Sequence, residues 1–523
     1  MGAWSLYFLA KLGLYYSHAS DLHWLENFAL AVALAWPLEH ARLRKARTWA
    51  AIPLALALAY YDLRLPPLPQ LVDDVAALAG FRAGYLLELA RRAALLPFAA
   101  ALIALVFLYS ALHERLRFAT LAFVGLVAAA ILPPSQPGPA VAATGTSVRP
   151  GDSPAPGSIL SPAALDAALQ TFYASQRGKT VSFVRAGTAR FDLVLLSVCS
   201  LSYDDLDYTH MREDPLLARF DVVFRQFNTA ATYSGPALLR LLHGTCGQMP
   251  QGELYNPSPE ACYLFRGLAA AGYQPALLLN HDGRFDHFAE QLRVQGGMGI
   301  DPEDNSAARV FMTAFDGTPL RSDADVLTHW WSAHQRDEGH NALLYNTISL
   351  HDGNRVPGQA SASSLITYVP RLRRLFADLN GFIDLVQASG RPTVVVLIPE
   401  HGAALHADAV QIAGLRELPT RAITNVPVAV KLIGLGARKP AGQPPLLVDA
   451  PSSYLALTAL IAGITRLGSA ASDRGALEGL VRALPTTQWI AENNGTVLLR
   501  RDSQSYLRTP QGEWTDYIDA PNP

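Results

Sequence analysis

The chain has 523 residues, of which 50% are hydrophobic, and its formal net charge at pH 7 is -2. This length and apolar content fit one large domain together with a membrane part. The lysines and arginines are scattered and form no basic helix interleaved with aromatic residues. The composition therefore disfavours a nucleic-acid-binding protein.

The first 132 residues predict a bundle of transmembrane helices. Tryptophan and tyrosine side chains stand near the ends of several apolar runs, as they do at membrane interfaces. Only the fourth run reaches the usual spanning length of about 20 residues, so five helices are predicted and four remain an alternative. The runs occupy residues 6–16, 28–38, 49–61, 93–112 and 118–132, and residues 70–92 predict an interfacial helix.

Positively charged residues set the predicted orientation. They cluster between the second and third runs and again between the fourth and fifth, which assigns both loops to the cytoplasm. Everything after residue 132 is then expected outside the cytoplasm. Lys11, within the first run, is expected to extend its ammonium group to the cytoplasmic interface, and the alternative is that it faces a partner helix. No basic region precedes the first run, so a cleavable signal peptide is not expected.

Residues 133–162 predict a linker, because they are rich in Pro, Gly, Ala and Ser and lack aromatic residues. Residues 163–523 predict an α/β domain in which strands alternate with helices around a doubly wound, mostly parallel sheet. Sites in such sheets lie beyond the carboxyl ends of the strands. The predicted strands are 191–198, 220–227, 275–279, 309–314, 342–348, 393–398 and 426–432, the helices include 262–271, 324–333 and 368–388, and residues 496–499 and 505–508 predict a peripheral hairpin.

Ser234 stands at the predicted start of an amphipathic helix, after a polar stretch that ends in Thr232 and Tyr233. Pro236 suits the first helical turn. A hydroxyl at this position lies beside unpaired backbone N–H groups, where a phosphate group would bind. Serine is also a common N-cap, so the sequence around Ser234 alone favours a cap over a nucleophile.

The chain contains three cysteines, Cys199, Cys246 and Cys262. An oxidising compartment would let two of them pair and leave one over. Cys246 and Cys262 are close in sequence, and a bridge between them would lock the loop beside Ser234. Cys199 would then be a free thiol at the end of a buried strand, where a small hydrophobic residue is the simpler interpretation.

Glu400 and His401 follow directly after the apolar strand that ends at Pro399. Alone, they are typical of a solvated strand end. Thiolate, carboxylate and imidazole groups are all good Zn²⁺ ligands, so Cys199, Glu400 and His401 together predict a zinc site with a fourth position open. If Ser234 takes that position, zinc lowers the pKa of its hydroxyl and favours phosphoryl transfer.

These motifs carry a resemblance to the alkaline phosphatase superfamily: a metal ligand after a strand, a nucleophile at a later helix start, and an acid–His pair after a late strand. Within it, the stretches SVCSLS, TYSGP, CYLF, LHDGN, PEHG and GLRELP are similar to those of the phosphoethanolamine transferases that modify cellulose in bacterial secretion systems. Related transferases of lipid A have an acidic residue, threonine and Asp-His where this chain has Cys199, Ser234 and Glu400-His401. The resemblance thus favours the cellulose branch and implies an alkaline-phosphatase-like fold.

The resemblance implies a zinc ion bound by Cys199, Glu400 and His401, with Ser234 as nucleophile and fourth ligand. It also implies a Cys246–Cys262 disulfide. Further catalytic residues that it implies are Tyr233, His351 and Arg416. From the residues alone, His351 is a turn histidine and Arg416 a surface arginine, while His281 and His406 are expected to be solvent-exposed.

The implied activity is zinc-dependent transfer of phosphoethanolamine from phosphatidylethanolamine to cellulose through a phosphoserine. The implied location is the bacterial inner membrane, crossed several times, with the catalytic domain in the periplasm and subunits of the cellulose synthase complex as partners. Alternatives are another hydrolase or sulfatase of the superfamily, a lipid A-type phosphoethanolamine transferase, or a non-catalytic assembly factor of the secretion complex.

Overall fold

The structure, a computed structural model, describes residues 2–17, 20, 22–62, 80–92, 95–112, 115–132, 160–183, 190–359, 363–407, 411–435, 442–501 and 504–518. The chain forms two compact units. The first comprises Met1–Ala79 and Leu87–Ser158, and the second comprises Gly80–Leu86 and Ile159–Pro523.

Each of the five predicted apolar runs contains a helix. The helices of the N-terminal third are α1 (Trp4–Tyr16), α2 (Trp24–Ala35), α3 (Ala41–Asp62), α4 (Ala83–Arg92), α5 (Leu95–Leu112) and α6 (Phe118–Ile131). Apolar side chains of α1, α2, α3 and α6 pack into one cluster, and α1 approaches α6 closely at Gly125, where a Cβ would lie 2.4 Å from Leu12. The predicted interfacial helix is described only from residue 80 onward, and most of the predicted linker lies outside the described residues.

Within the described residues, one helix is long and apolar enough to cross a membrane, and it is Tyr454–Ser472. Since 67% of its apolar window is buried inside the protein, it is a core helix of the second unit. The apolar helices Trp24–Ala35, Leu102–Leu112 and Phe118–Ile131 are shorter. The N-terminal third is therefore helical and apolar as expected, and its several membrane crossings stay a prediction.

Lys11 is buried against another helix, so the preferred expectation for its ammonium group is wrong and the alternative of a partner helix is confirmed. Its side chain is 6% exposed and forms an ion pair with Asp62 at the end of α3. Lys11 Nζ also donates to Asn27 Oδ1 at 2.8 Å, and His23 Nδ1 lies 2.7 Å from Asp62 Oδ1. Burying an ammonium group is costly unless a carboxylate is within reach, and the fold of α1 against α3 supplies one.

A seven-stranded sheet forms the centre of the second unit, with strand order β3-β6-β1-β7-β8-β2-β9. All its strands are parallel except β8, which is antiparallel to both of its neighbours. The prediction of a mostly parallel sheet is confirmed. Its strands are β1 (Asp192–Val198), β2 (Val222–Asn228), β3 (Tyr273–Leu279), β6 (His340–Thr347), β7 (Thr393–Pro399), β8 (Asn425–Ile433) and β9 (Leu446–Val448), and β4 (Val310–Thr313) pairs with β5 (Pro319–Arg321) apart from it.

Helices cover both faces of this sheet. Successive side chains of a strand point to opposite faces, so a strand buried on both sides is apolar throughout. In β1, Leu193 and Leu195 join one core cluster, while Val194 and Leu196 join the other. The helices of this unit are α7 (Pro162–Gln176), α8 (Tyr203–Tyr208), α9 (Pro215–Ala218), α10 (Ser234–Leu242), α11 (Leu264–Ala270), α12 (Phe288–Val294), α13 (Asp323–His334), α14 (Tyr368–Ser389), α15 (Arg421–Thr424), α16 (Tyr454–Leu467) and α17 (Arg474–Arg482).

The C-terminal residues form a larger sheet than the predicted hairpin. Four antiparallel strands pair in chain order, and the predicted hairpin is the middle pair of the four. They are β10 (Ile490–Asn493), β11 (Thr496–Arg501), β12 (Gln504–Arg508) and β13 (Trp514–Tyr517). Side chains of β10, β11 and β12 pack against Leu165, Leu169 and Phe172 of α7, which attaches this sheet to the helix.

Candidate active site

Cys199, Glu400 and His401 meet at the carboxyl edge of the central sheet. Strands β1 and β7 are parallel neighbours in a register that pairs Val198 with Pro399, so the residue after each strand emerges at the same place. Each of the three side chains is buried, and their potential ligand atoms all lie within 4.8 Å of one another. Among the described residues, Cys199, Glu400 and His401 are the group whose ligand atoms lie close enough together to hold a metal ion.

Glu400 is held through one of its two oxygens. Its Oε1 accepts hydrogen bonds from Ser197 Oγ at 3.1 Å and from the Asn346 amide. Its Oε2 has no hydrogen-bond partner within the described part of the chain and lies 3.9 Å from His401 Nε2. A buried carboxylate oxygen without a partner is costly, and a cation between these residues would remove that cost.

His401 presents one ring nitrogen to the same space. Its Nδ1–H donates to the Gly402 carbonyl at 2.9 Å, which leaves Nε2 with its lone pair, 3.7 Å from Cys199 Sγ. Metal-binding histidines are commonly oriented by such a bond to the other nitrogen. Gly402 permits this geometry because a Cβ there would lie 2.6 Å from Ser202 Oγ.

The electrostatics of the three residues also fit a divalent cation. Burial, and next the Glu400 carboxylate, raises the pKa of Cys199 to about 12. Burial raises the pKa of Glu400 and lowers that of His401 well below its ordinary value. Desolvation thus disfavours the Cys199 thiolate and the Glu400 carboxylate, which are the forms that bind a metal. The charge of a bound Zn²⁺ would offset this cost, and the neutral imidazole of His401 can bind the metal as it is. The thiolate, carboxylate and imidazole donor set fits zinc.

Ser234 is the first residue of α10, and Tyr233 occupies the cap position. The Ser234 hydroxyl donates to Cys199 Sγ at 3.4 Å. The interpretation of Ser234 as an N-cap is therefore wrong. The loop after α10 is closed by a disulfide between Cys246 and Cys262, and Cys199 is the free, buried cysteine.

Arg416 and Tyr233 form one wall of this site. Arg416 is 5% exposed, its Nη1 donates to Ser200 Oγ at 3.0 Å, and its guanidinium lies 5.1 Å from the centre of the Tyr233 ring. The surface-arginine interpretation is thus wrong. The Tyr233 hydroxyl donates to Glu417 Oε1 at 2.6 Å, and burial, with the charge of Glu417, raises its pKa. The Tyr233 ring therefore contacts the Arg416 guanidinium, while the Tyr233 hydroxyl binds Glu417.

His351 lies in the loop that follows β6, at the same edge of the sheet. Its Nδ1–H donates to the Asp352 carbonyl at 2.6 Å, which leaves Nε2 as a proton acceptor. Burial, and next the charge of Arg416, lowers the pKa of His351 to about 3. Its ring stacks on Phe315 at 4.2 Å. His351 is therefore a neutral histidine with a fixed ring orientation, which the interpretation as a turn residue did not predict.

Sequence reasoning missed a chain of hydrogen bonds behind Glu400. His281 was expected to be exposed, but it is buried. Its Nε2 lies 3.0 Å from Asn346 Oδ1, and its Nδ1 accepts a hydrogen bond from Gly283 N–H. Asn346 in turn donates to Glu400. A signal existed for Asn346, since it is a polar residue in an otherwise apolar buried strand. His406 is half-buried and bonded to Asp204 at 2.8 Å, so it is not fully exposed either.

Comparisons with known proteins agree with the motifs. A family model described as the C-terminal domain of cellulose biosynthesis protein BcsG matches residues 151–514, and one described as its N-terminal domain matches residues 4–131. The cellulose biosynthesis protein BcsG of Escherichia coli K12 is 33% identical over 542 residues, covering 99% of this chain and 96% of that protein.

Solved structures resemble the chain more distantly. An alkaline phosphatase superfamily protein from Vibrio parahaemolyticus has a TM-score of 0.49 and 15% identity, over 67% of this chain and 87% of that one. The C-terminal periplasmic domain of EptC from Escherichia coli has a TM-score of 0.41 and 15% identity, over 60% of this chain and 94% of that one.

Proposed function

The chain belongs to the BcsG family of cellulose biosynthesis proteins, and from this membership we propose that it transfers phosphoethanolamine from phosphatidylethanolamine to glucosyl hydroxyls of cellulose. The observation that carries the proposal is the direction of the Ser234 hydroxyl. Ser234 is the first helical residue, after the cap Tyr233, and its hydroxyl donates to the buried Cys199 thiol. A hydroxyl held at a helix start and directed at a potential metal ligand suits a nucleophile.

The proposed reaction has two displacements at phosphorus. In the first, Ser234 Oγ forms a bond to phosphorus, the bond from phosphorus to the glycerol oxygen breaks, and the serine proton ends on the released diacylglycerol. In the second, the oxygen of a glucosyl hydroxyl forms a bond to phosphorus, the bond from phosphorus to Ser234 Oγ breaks, and the glucosyl proton passes through His351 to Oγ, which regains its hydroxyl. A covalent stage suits this pair of substrates because a lipid and a polymer then need not occupy one site together.

The residues around Ser234 have separate tasks in this scheme. Backbone N–H groups at the start of α10 donate hydrogen bonds to the phosphoryl oxygens, as helix N-termini commonly do. Arg416 supplies a buried positive charge beside them. His351, neutral and with Nε2 unprotonated, takes the proton of the incoming hydroxyl.

Cys199, Glu400 and His401 would hold the zinc ion, with Ser234 as the fourth candidate ligand. When bound, zinc supplies positive charge that lowers the pKa of a neighbouring hydroxyl and stabilises charge on the transferring group. His281 and Asn346 keep the Glu400 carboxylate in place for this task, which is the role that outer residues commonly have around metal sites.

We further propose a location in the bacterial inner membrane, crossed several times, with the catalytic unit in the periplasm beside the cellulose synthase complex. The apolar helices of the first unit, the basic loops between the apolar runs and the Cys246–Cys262 disulfide support this location. A lipid donor also explains why the catalytic residues share a chain with such helices.

The test is Ser234→Ala in cells that make cellulose, read by solid-state NMR of the polymer. We expect unmodified cellulose in normal amount, and no phosphoethanolamine mass on the purified chain after exposure to the lipid. The matched control is Ser161→Ala, which removes a serine that does cap its helix, through its Oγ and Ala164 N–H. Modified cellulose in the Ser234→Ala strain, with no second transferase present, would remove Ser234 from the mechanism.

A further inference from the structure

A short segment from among the N-terminal helices belongs to the catalytic unit. Residues Gly80–Leu86 precede α5 and α6 in sequence but cluster with Ile159–Pro523. Within this segment Tyr85 is 6% exposed, and its hydroxyl donates to Asp352 Oδ2 at 2.9 Å. Asp352 is the residue next to His351, so a side chain from the N-terminal third reaches the loop of a proposed catalytic residue.

The contact is close and specific in shape. Gly353 has a φ of +81°, and a Cβ at this glycine would lie 2.9 Å from ring atoms of Tyr85. The Tyr85 ring therefore occupies the space that any larger residue at 353 would need. The centre of the Phe81 ring lies 5.5 Å from that of Phe315, which in turn stacks on His351. The segment thus reaches the His351 loop both directly and through Phe315.

The bonds in this loop lead from Tyr85 to the imidazole. The Asp352 carboxylate accepts from Tyr85 on one oxygen and from the Ser364 hydroxyl on the other. The Asp352 carbonyl accepts from His351 Nδ1–H. Fixing the Asp352 side chain therefore fixes the acceptor that orients the imidazole, while Arg371 holds the His351 carbonyl at 3.1 Å.

We propose that Tyr85 is a positioning residue for His351, so that the N-terminal third supplies a part of the catalytic site. The inference rests on the proposed function, in which His351 Nε2 takes the proton of the acceptor hydroxyl. In this proposal Tyr85 acts on His351 through its hydrogen bond to Asp352. Its loss lets the imidazole turn away from the direction in which the proton must be taken.

The experiment uses the full chain and compares Tyr85→Phe with Tyr173→Phe. Tyr85→Phe keeps the ring that packs on Gly353 and removes only the hydroxyl. Tyr173 is the matched control, since it is also 6% exposed and also donates to a buried carboxylate, that of Glu492, but outside the site. We expect Tyr85→Phe to lower kcat for transfer roughly ten- to a hundredfold with little change in KM for the lipid, and Tyr173→Phe to change neither more than about twofold.

A second measurement reports on His351 without any turnover. Diethyl pyrocarbonate modifies neutral imidazole nitrogens, and peptide mass spectrometry gives the rate of modification at His351 separately from other histidines. We expect Tyr85→Phe to change that rate severalfold, because the ring loses its fixed orientation, and Tyr173→Phe to leave it at the wild-type value.

The outcomes separate the two levels of inference. If Tyr85→Phe matches the wild type in both kcat and His351 modification, the positioning role is wrong. If the wild type transfers no phosphoethanolamine and Ser234→Ala behaves identically, the proposed function is wrong, while the modification rates still decide whether Tyr85 orients His351. A drop in kcat that Tyr173→Phe reproduces would assign the effect to stability and overturn the proposal.

Discussion

Replacing Gly402 by alanine should destabilise the second unit, although the change is a single methyl group. That methyl would lie 2.6 Å from Ser202 Oγ, 2.8 Å from Ser202 Cβ and 3.1 Å from Asp205 Oδ2. Ser202 and Asp205 form the capping box of α8, and Asp205 also accepts from Ala403 N–H at 2.8 Å. The methyl therefore pushes against a bonded network that cannot move without breaking a cap.

The expected magnitude follows from two opposing terms. Overpacking a buried site costs about 1–3 kcal/mol. Replacing glycine by alanine restricts the unfolded chain, which returns about 0.4–1 kcal/mol. Gly402 is not among the described residues with positive φ, so no backbone strain is added. The net loss in free energy of unfolding should be about 1.3 kcal/mol, the difference between the midpoints of these two ranges.

The control is Gly381→Ala, in the middle of α14. A Cβ at Gly381 would meet nothing within 4 Å, and this glycine also has no positive φ. The same methyl group should there stabilise the chain by about 0.5–1 kcal/mol, since alanine is the better helix former. Opposite signs are therefore expected for one chemical change at two places.

Pulse proteolysis of the full chain across a urea series measures the unfolding midpoint of the catalytic unit. We expect the midpoint to fall in Gly402→Ala and to rise slightly in Gly381→Ala, and zinc content to fall in Gly402→Ala because His401 donates to the Gly402 carbonyl. Equal shifts in the two variants, or a stabilised Gly402→Ala, would refute the steric argument.

Three further predictions concern the site and its loop. His401→Ala should lose zinc by elemental analysis of the purified chain, whereas His406→Ala should retain it, and equal zinc in both would contradict the proposed ligand set. His351, with its pKa lowered to about 3, should stay unprotonated through the neutral range, so its protonation should cause no fall in transfer rate as the pH drops toward 5. An acid limb near 6.5 that disappears in His351→Gln would show that the pKa is not lowered. Replacing Cys246 and Cys262 together by serine should cost about 3 kcal/mol of stability by denaturant titration, given the 16-residue separation, and an unchanged midpoint in non-reducing buffer would contradict this.

The central sheet was predictable because its strands carry their own signal. The run TVVVLIP is apolar at every position after Thr393, as is typical of strands covered on both faces. Parallel strands bring their carboxyl ends to one edge, which explains why Cys199 and Glu400 meet despite their distance in sequence. One predicted strand, 309–314, does form but pairs apart from this sheet, because pairing partners are not encoded in local apolarity.

Residues whose role depends on distant partners escaped prediction. His281 follows a run of leucines and precedes Asp282 and Gly283, a pattern typical of an exposed turn, and only the folded chain places it against Asn346. Lys11 was misplaced for the same reason, since its partner Asp62 is two helices away. Tyr85 lies in a stretch that reads as amphipathic helix, and nothing local reveals Asp352 as its partner.

The complete burial of Cys199 bears on how the chain acquires its correct disulfide during folding. Its side chain is 0% exposed, so in the folded protein it presents no surface to another cysteine of the chain. Mispairing is therefore possible only in the unfolded chain. Closing the loop from Cys199 to Cys246 costs about 1 kcal/mol more than closing the 16-residue separation between Cys246 and Cys262, so the native pair forms several times more readily. The spacing of the cysteines along the chain thus protects the thiol until the fold encloses it.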